Sequence, residues 1–387
     1  TLILGAVIDM AMGVYLLAHF FRANPAGRRL LFIMTAGAAI VVANVALTQH
    51  FDRGILTSGV YRYGTVPERG TRKIAFYRDG RTATVSVRSD GDERYSLATN
   101  GKPDASLTKV WLHPPVPGAP KEAIGGDQVT QALLPLITLA HAPNAKHAAV
   151  IGFGSGVSSH LLLGSPALEQ LVTVEIEPAM VEGSRLFREA NRRVYDDTRS
   201  RIVIDDAKSY FASAGRRFDL IMSEPSNPWV SGVSGLFTDE FYTRVKRYLA
   251  DDGVFGQWLH LYEIDDDLVA FVIAAIHRNF PAYEIFFTSS VDILIVATPA
   301  AHLRGPDWSI AAYPKIAEDL ARFRQLSPAV FEALRVVNRA VLAPFIESGL
   351  PVNSDFRPYL DLAAEKARFD HSRATAFIGL GNDRFPL

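Results

Sequence analysis

The run "VIGFGSG", residues 150–156, places glycines at 152, 154 and 156 directly behind a short apolar stretch. Glycines there let the backbone approach a ligand and open a helix whose N-terminus favours polar or anionic groups. Alone, the pattern fits a plain tight turn equally well, so its surroundings carry the reading. From about Ile124, short apolar strands alternate with helical stretches, at Ala148–Gly152, Leu171–Glu175, Arg201–Ile204, Phe218–Met222 and Val254–Trp258. This alternation predicts an α/β fold with a doubly wound parallel sheet. Strands near Tyr283–Thr288 and Asp292–Ala297 are too close together for a crossover helix. They are expected to pair as an antiparallel hairpin at the sheet edge.

Upstream, Leu2–Phe21 and Leu30–Leu47 are nearly all apolar. At about 1.5 Å per residue each reaches about 30 Å, the thickness of a bilayer's hydrocarbon core. With the short loop "RANPAGRR" (22–29) between them, they read as a transmembrane helical hairpin, expected to end a larger membrane region. A buried hairpin of a soluble protein is the rival reading. The stripes Thr35/Ala39/Ala43 and Gly5/Asp9/Gly13 suit close helix approach in lipid. Asp9 is expected to face a neighbouring helix. Charge leaves the orientation open: Arg22, Arg28 and Arg29 favour a cytoplasmic loop, whereas Arg53, Arg62, Arg69, Arg72 and Lys73 pull the other way.

Residues 52–122 alternate in the β manner. The turn pairs Asp79-Gly80 and Asp90-Gly91 punctuate them, and the proline-rich "HPPVPGAP" (113–120) closes them. A small antiparallel lid is expected there, then a nucleoside-binding domain over 123–300 and a mostly helical extension over 301–387. The 387 residues include no cysteine, which removes disulfides, thiolate metal sites and cysteine nucleophiles. A net charge of −1 gives no basic face for nucleic acid. His141, His147, His160 and His260 lack the spacing of a metal site, and His160 reads as a packing residue. No metal is expected. Asp265–Asp267 reads as a helix N-terminal charge cluster, and "NSDFRPYLD" (353–361) as a cap or salt-bridge segment.

Four successive strands deliver polar groups to one edge of the sheet, where open α/β sheets bind ligands. The first brings Gly152, Gly154, Ser155 and Gly156. The second ends in "VTVEIEP", where Glu175 stands 23 residues after Gly152. That is close to the spacing of about 20 at which an acid reaches ribose hydroxyls. The third runs into "IDDAKSYF", where Asp206 is placed to accept from an adenine amino group. The fourth delivers "SEPSNPWVSG" (223–232). Together these predict a nucleoside-bearing ligand. Val157 breaks the GxGxxG spacing of a dinucleotide site, and a hairpin after five parallel strands is typical of folds that use S-adenosylmethionine.

Residues 72–300 resemble the spermidine/spermine synthase (aminopropyltransferase) family. "VEIEP" resembles its ribose-binding VEID, "DDAKSYF" its DG-x-x-F adenine station, and "SEPSNPWVSG" its D-S-S-D-P gate loop. "GVFGQWLHL" (253–261) resembles a segment after its fifth strand. Coupling to apolar helices resembles the membrane-fused bacterial branch. The resemblance implies a class I methyltransferase-like (Rossmann-like) sheet with a small N-terminal β domain, preceded by transmembrane helices. It implies a homodimer, with S-adenosylmethionine or its decarboxylated form as co-substrate. Glu224 matches the catalytic aspartate, one methylene longer. Glu175 with Ile176 matches the ribose station, and Asp206 with Ala207 the adenine contacts. Gln131 of "DQVTQ" (127–131) matches a gate-side glutamine, although the tyrosine preceding it in the family reads Thr130 here. Asn227 stands for a second gate acid, and Ser155 for the aspartate of a GGGDG loop. Gln257 is carried over as substrate-binding. The loop before the last strand, which carries an acceptor-binding tyrosine in the family, is shortened to "FFTSSVD" (286–292).

Alkyl ammonium groups titrate near pH ~10, so an amine nucleophile arrives protonated. A carboxylate such as Glu224 binds that cation, takes its proton and aligns it with a carbon–sulfur bond. Pro225 and Pro228 stiffen the loop, and Trp229 and Tyr262 are candidates to face a sulfonium or ammonium, or else to pack. The expected reaction moves an aminopropyl-type group to a small amine and releases methylthioadenosine. Neutral Ser155 and Asn227 also suit S-adenosylmethionine itself, cyclised or cleaved without an acceptor. A methyltransferase and a non-catalytic nucleoside sensor are the remaining readings. The supply of S-adenosylmethionine places the catalytic domain in the cytoplasm, on a multi-pass protein of the bacterial inner membrane.

Overall fold

The structure, a computed structural model, describes residues 2–21, 25–48, 52–68, 73–91, 93–114, 121, 124, 126–324 and 326–381. Arg22, Arg69 and Arg72 and most of the 113–120 proline stretch lie outside the described residues. Two helices, Leu2–Phe20 and Pro25–Thr48, form the N-terminal hairpin. Among the described residues one helical stretch, Pro25–Asn44, is long and apolar enough to cross a membrane; Leu4–Phe20 falls short. Asp9 is exposed. Side chains at Gly5 and Gly13 would meet nothing within 4 Å, so the stripe they form is not used for packing within this chain.

Two short helices, Arg53–Leu56 and Val60–Tyr63, lead into a four-stranded antiparallel meander. Its strands are β1 (Lys73–Asp79), β2 (Thr84–Asp90), β3 (Arg94–Thr99) and β4 (Lys102–Thr108). The lid expected from the turn pairs is this sheet. The nucleoside-domain strands are β5 (His147–Ile151), β6 (Gln170–Glu175), β7 (Ser200–Ile204), β8 (Phe218–Ser223) and β9 (Leu249–His260), followed by β10 (Ala282–Ser289), β11 (Asp292–Thr298) and β12 (Arg335–Asn338). They run β12-β10-β11-β9-β8-β5-β6-β7 across one sheet. The five strands from β7 to β9 are parallel and the last three antiparallel. The expected hairpin is present, but it is not the edge: β12, from the extension read as helical, pairs outside β10.

Side chains alternate across the central strands, as a sheet covered on both faces requires. Ala148, Val150, Leu220 and Met222 enter one core layer, and Ala149, Ile151 and Ile221 the other. The strand order reverses at β5, which leads to β6 on one side while β8 pairs on the other, and open α/β sheets bind ligands at the C-terminal ends of strands flanking such a switch. The extension braces the first layer through a buried network. His160, on the helix Val157–Leu162 behind the glycine turn, meets Asp319 at 3.3 Å, and Arg193 holds the same carboxylate at 2.7 Å. His160 is thus the packing residue expected of it. Asp265 caps the helix Asp266–Asn279 through the N–H of Leu268. Asn353 caps the turn into helix Tyr359–Phe369 and donates to the Phe237 carbonyl. Replacing Arg193 with alanine removes the guanidinium partner of buried Asp319, leaving it His160, and is expected to cost about 3 kcal/mol, read as a lower urea midpoint at unchanged slope.

Candidate active site

The glycine turn is forced. Gly152, Gly154 and Gly156 take positive φ of 92°, 50° and 82°. A methyl group at Gly152 would fall 2.4 Å from the Glu224 carbonyl oxygen. The β8 loop therefore rests directly on the β5 turn, and the N–H of Glu224 donates to the Ile151 carbonyl at 2.9 Å. This contact fixes the backbone of Glu224 before its side chain is considered.

The side chain is held as well. Ser158 Oγ, in the first turn of the helix behind the glycines, lies 2.6 Å from Glu224 Oε2. It also reaches the Gln131 carbonyl at 3.4 Å. That carbonyl is available because residue 135, four positions on in the helix Asp127–His141, is a proline with no N–H to give it. Gln131 Oε1 in turn accepts from Ser155 Oγ, and its Nε2 donates to the Asp127 carbonyl at 3.2 Å. Gln131, Ser155, Ser158 and Glu224 thus form one connected group. Burial raises the Glu224 carboxyl to about 7, opposed by the Ser158 hydrogen bond. A carboxyl at that value exchanges protons readily near neutral pH.

Glu175 closes the other side of the turn. Its Oε2 accepts from the Phe153 N–H and its Oε1 from the Glu177 N–H, both at 2.9 Å. Burial raises this carboxyl too, to about 7, against those backbone donors. Ile176, next to it, is exposed. Asp206 caps the helix Ala207–Ser213 by accepting from the Ser209 N–H at 2.9 Å, and it stays exposed beside buried Ala207.

The lid is fastened to this edge. Glu177 Oε2 accepts from Thr82 N–H at 2.7 Å and Thr82 Oγ1 at 2.8 Å, which docks the β1–β2 turn on the end of β6. Lys102 of β4 bridges Asp104 at 2.7 Å and Ser226 of the gate loop at 2.8 Å. Ser106 donates to Asp127 at 2.9 Å.

Three expectations change. Trp229 is buried, and its ring already meets this chain's own cations, Arg368 at 5.1 Å, Arg62 at 5.7 Å and Lys102 at 5.8 Å. The packing reading of this ring holds. Gln257 has no exposed surface and spends its amide on the Trp258 carbonyl at 2.9 Å and on Ser223 and Tyr242, so it lies beneath the crevice. Asn227 is fully buried, and its amide makes no hydrogen bond of ordinary length, with Tyr262 beside it.

Sequence reading missed His260, Asp292 and Asp104. His260 is fully buried, and neither ring nitrogen has a partner among the described residues. Its ring lies between Trp258 at 5.6 Å and Tyr262 at 4.8 Å. Burial, with Lys102 and Arg62 nearby, pushes its pKa well down. Asp292, its register partner on β11, accepts from Ser289, Thr130 and Trp258, and burial raises it to about 6. The signal was the alternation of Trp258, His260 and Tyr262 at the end of a strand. Asp104 carried no local signal. Among the described residues no group of three or more metal-ligating side chains is placed to hold an ion.

Strand order and glycine turn together define a Rossmann-like α/β fold. The family profile described as Spermine/spermidine synthase domain matches residues 128–294. The chain is 28% identical over 169 residues to the polyamine aminopropyltransferase of Caldicellulosiruptor bescii, covering 44% of this chain and 60% of the relative. It is 33% identical over 123 residues to the polyamine aminopropyltransferase of Mycobacterium tuberculosis, covering 31% of this chain and 24% of that one. The chain thus spans less than two thirds of these relatives. A spermidine synthase solved in complex with the transition state analogue AdoDATO shares the fold, with a TM-score of 0.51 at 19% identity over 70% of this chain and 87% of that one.

Gly152→Ala is expected to combine a disfavoured positive-φ backbone, about 1–2 kcal/mol by itself, with the clash against Glu224. The check is protease sensitivity of the 223–232 loop, which should rise in the variant.

Proposed function

We propose that this chain is a membrane-anchored, spermidine synthase-like transferase. It moves an aminopropyl-type group from decarboxylated S-adenosylmethionine, or from S-adenosylmethionine, to a small amine. The observation that carries this is the Glu224 carboxyl, fixed at the glycine turn by Ser158 with its pKa raised to about 7. The curated relatives named polyamine aminopropyltransferase support the same reading.

In the reaction, the amine nitrogen attacks the carbon beside the sulfonium. A carbon–nitrogen bond forms and the carbon–sulfur bond breaks. Its electron pair stays on sulfur, giving neutral methylthioadenosine. The ammonium proton passes to Glu224. Ser158 is placed to hold the proton-bearing carboxyl, turning its own hydroxyl to the Gln131 carbonyl that Pro135 leaves available. Glu175 takes the ribose, Asp206 and Ala207 the adenine, and Ile176 packs on the nucleoside. The turn residues Gly152, Gly154 and Gly156 let the ligand approach the backbone.

A second reading has its own support. Neutral Asn227, with Arg62, Lys102 and Arg368 around Trp229, offers a dication less than a polyamine site ordinarily would. Cyclisation or cleavage of S-adenosylmethionine itself needs no second amine. The apolar helix Pro25–Asn44, only 12% buried within the chain, is in keeping with anchoring in a bilayer, and the supply of S-adenosylmethionine argues for the catalytic domain on the cytoplasmic side.

Purified protein is incubated with either sulfonium, with and without diamines, and the products are identified by mass spectrometry. Methylthioadenosine plus the extended amine supports transfer, and methylthioadenosine without amine supports the second reading. S-adenosylhomocysteine contradicts both. A base must be unprotonated to act, so kcat/KM is expected to rise with pH through about 7. Glu224→Gln is expected to abolish that rise and lower turnover by at least about 100-fold while binding methylthioadenosine normally by calorimetry. Glu175→Ala is expected to weaken that binding instead.

A further inference from the structure

The segment between the apolar hairpin and the four-stranded meander touches the β3–β4 turn, Trp229 of the gate loop and Glu263. Gly59, in the left-handed region at φ 70°, packs so tightly on the β3–β4 turn that a methyl group there would fall 2.6 Å from the Gly101 carbonyl oxygen. Tyr61 sets its ring edge on Trp229 of the gate loop, 6.5 Å between centroids. Arg62 lies 5.7 Å over the same ring, and its Nε donates to Glu263 Oε1 at 2.9 Å. Both side chains of that ion pair are nearly buried, 13% and 12% exposed.

Glu263 is one of three non-glycine residues with positive φ among the described residues, at 54°. A glutamate in that conformation costs free energy and persists only where its surroundings hold it. The pair with Arg62 is one such hold, beside the backbone bridge of Tyr262 with Arg373. Glu263 directly follows Tyr262, and near these two residues stand the orphaned polar groups of the site: the Asn227 amide, the Trp229 Nε1 and both nitrogens of His260. Buried polar groups are nearly always satisfied, so their concentration here marks a place that a polar ligand or water fills.

We infer that Arg62 is a positioning residue for the proposed reaction, clamping the gate loop and the Tyr262–Glu263 bend together so that the acceptor end of the crevice keeps its shape. This rests on the reading of the crevice as a sulfonium-transfer site.

The test uses the full chain in detergent or nanodiscs. Trp229 emission is isolated by subtracting the spectrum of Trp229→Phe. Arg62→Ala is expected to shift that emission to the red. It is also expected to lower kcat/KM by about 100-fold, the scale of a misplacement of about 1 Å, with unchanged affinity for methylthioadenosine. The paired swap Arg62→Glu with Glu263→Arg is expected to recover at least about tenfold of that loss; Arg62→Lys, which keeps charge but not the Nε geometry, is expected to recover less. Unchanged Trp229 emission in Arg62→Ala overturns the inference, as does weakened methylthioadenosine binding with kcat intact. If the wild type makes no methylthioadenosine while the emission shift appears, the transfer reading fails and the clamp stands.

Discussion

The close approach of the Glu224 carbonyl to Gly152, which leaves no room for a β-carbon there, is the constraint on which the rest depends. It presses the loop after β8 onto the turn after β5, leaving no room for a side chain. Backbone geometry alone therefore places the Glu224 side chain beside the helix that carries Ser158. The connected hydroxyls of Ser155 and Ser158 then join it to Gln131. A loop with Pro225 and Pro228 has little freedom to leave that seat. Stiffness in "SEPSNPWVSG" thus serves one purpose, keeping a raised-pKa carboxyl at a fixed point.

The two carboxyls flanking the turn show how one environment gives different tasks. Glu175 has both oxygens met by backbone N–H groups, which fix its orientation toward anything lying on the β6 end. Glu224 has one hydroxyl partner and keeps an oxygen for another. Burial raises both to about 7, yet only the second retains the freedom a proton acceptor needs. The lid adds charge from outside the parallel sheet, since Asp104 reaches the gate loop through Lys102 and Ser226.

Much of this was legible because the signals were local. Apolar runs with glycine or acid at their ends gave the five parallel strands within a residue or two, apart from β9, which begins five residues earlier. The turn pairs gave the lid. What was not legible depended on distant partners. β12 is four residues with no strand pattern of its own, and it is a strand because β10 offers an unpaired edge. Trp229 was placed on the loop correctly, but sequence cannot say which cations cover its ring; Arg62, Lys102 and Arg368 come from three separate segments. Gln257 alternates with Trp258 in the strand, and only the tertiary fold shows that its face points at Tyr242. His260 was set aside because a lone histidine has no motif, and its significance lies in the absence of a partner after burial.

The central claim is that Glu224 sits beside the reacting carbon of an adenosyl sulfonium. A crystal structure of the complex with methylthioadenosine tests it most directly. The account predicts ribose hydroxyls on Glu175 and the thioether sulfur within about 6 Å of the Glu224 carboxyl, the span of one intervening amine nitrogen. A ligand bound away from the C-terminal ends of β5 and β6, or a Glu224 carboxyl turned from the sulfur, would contradict it.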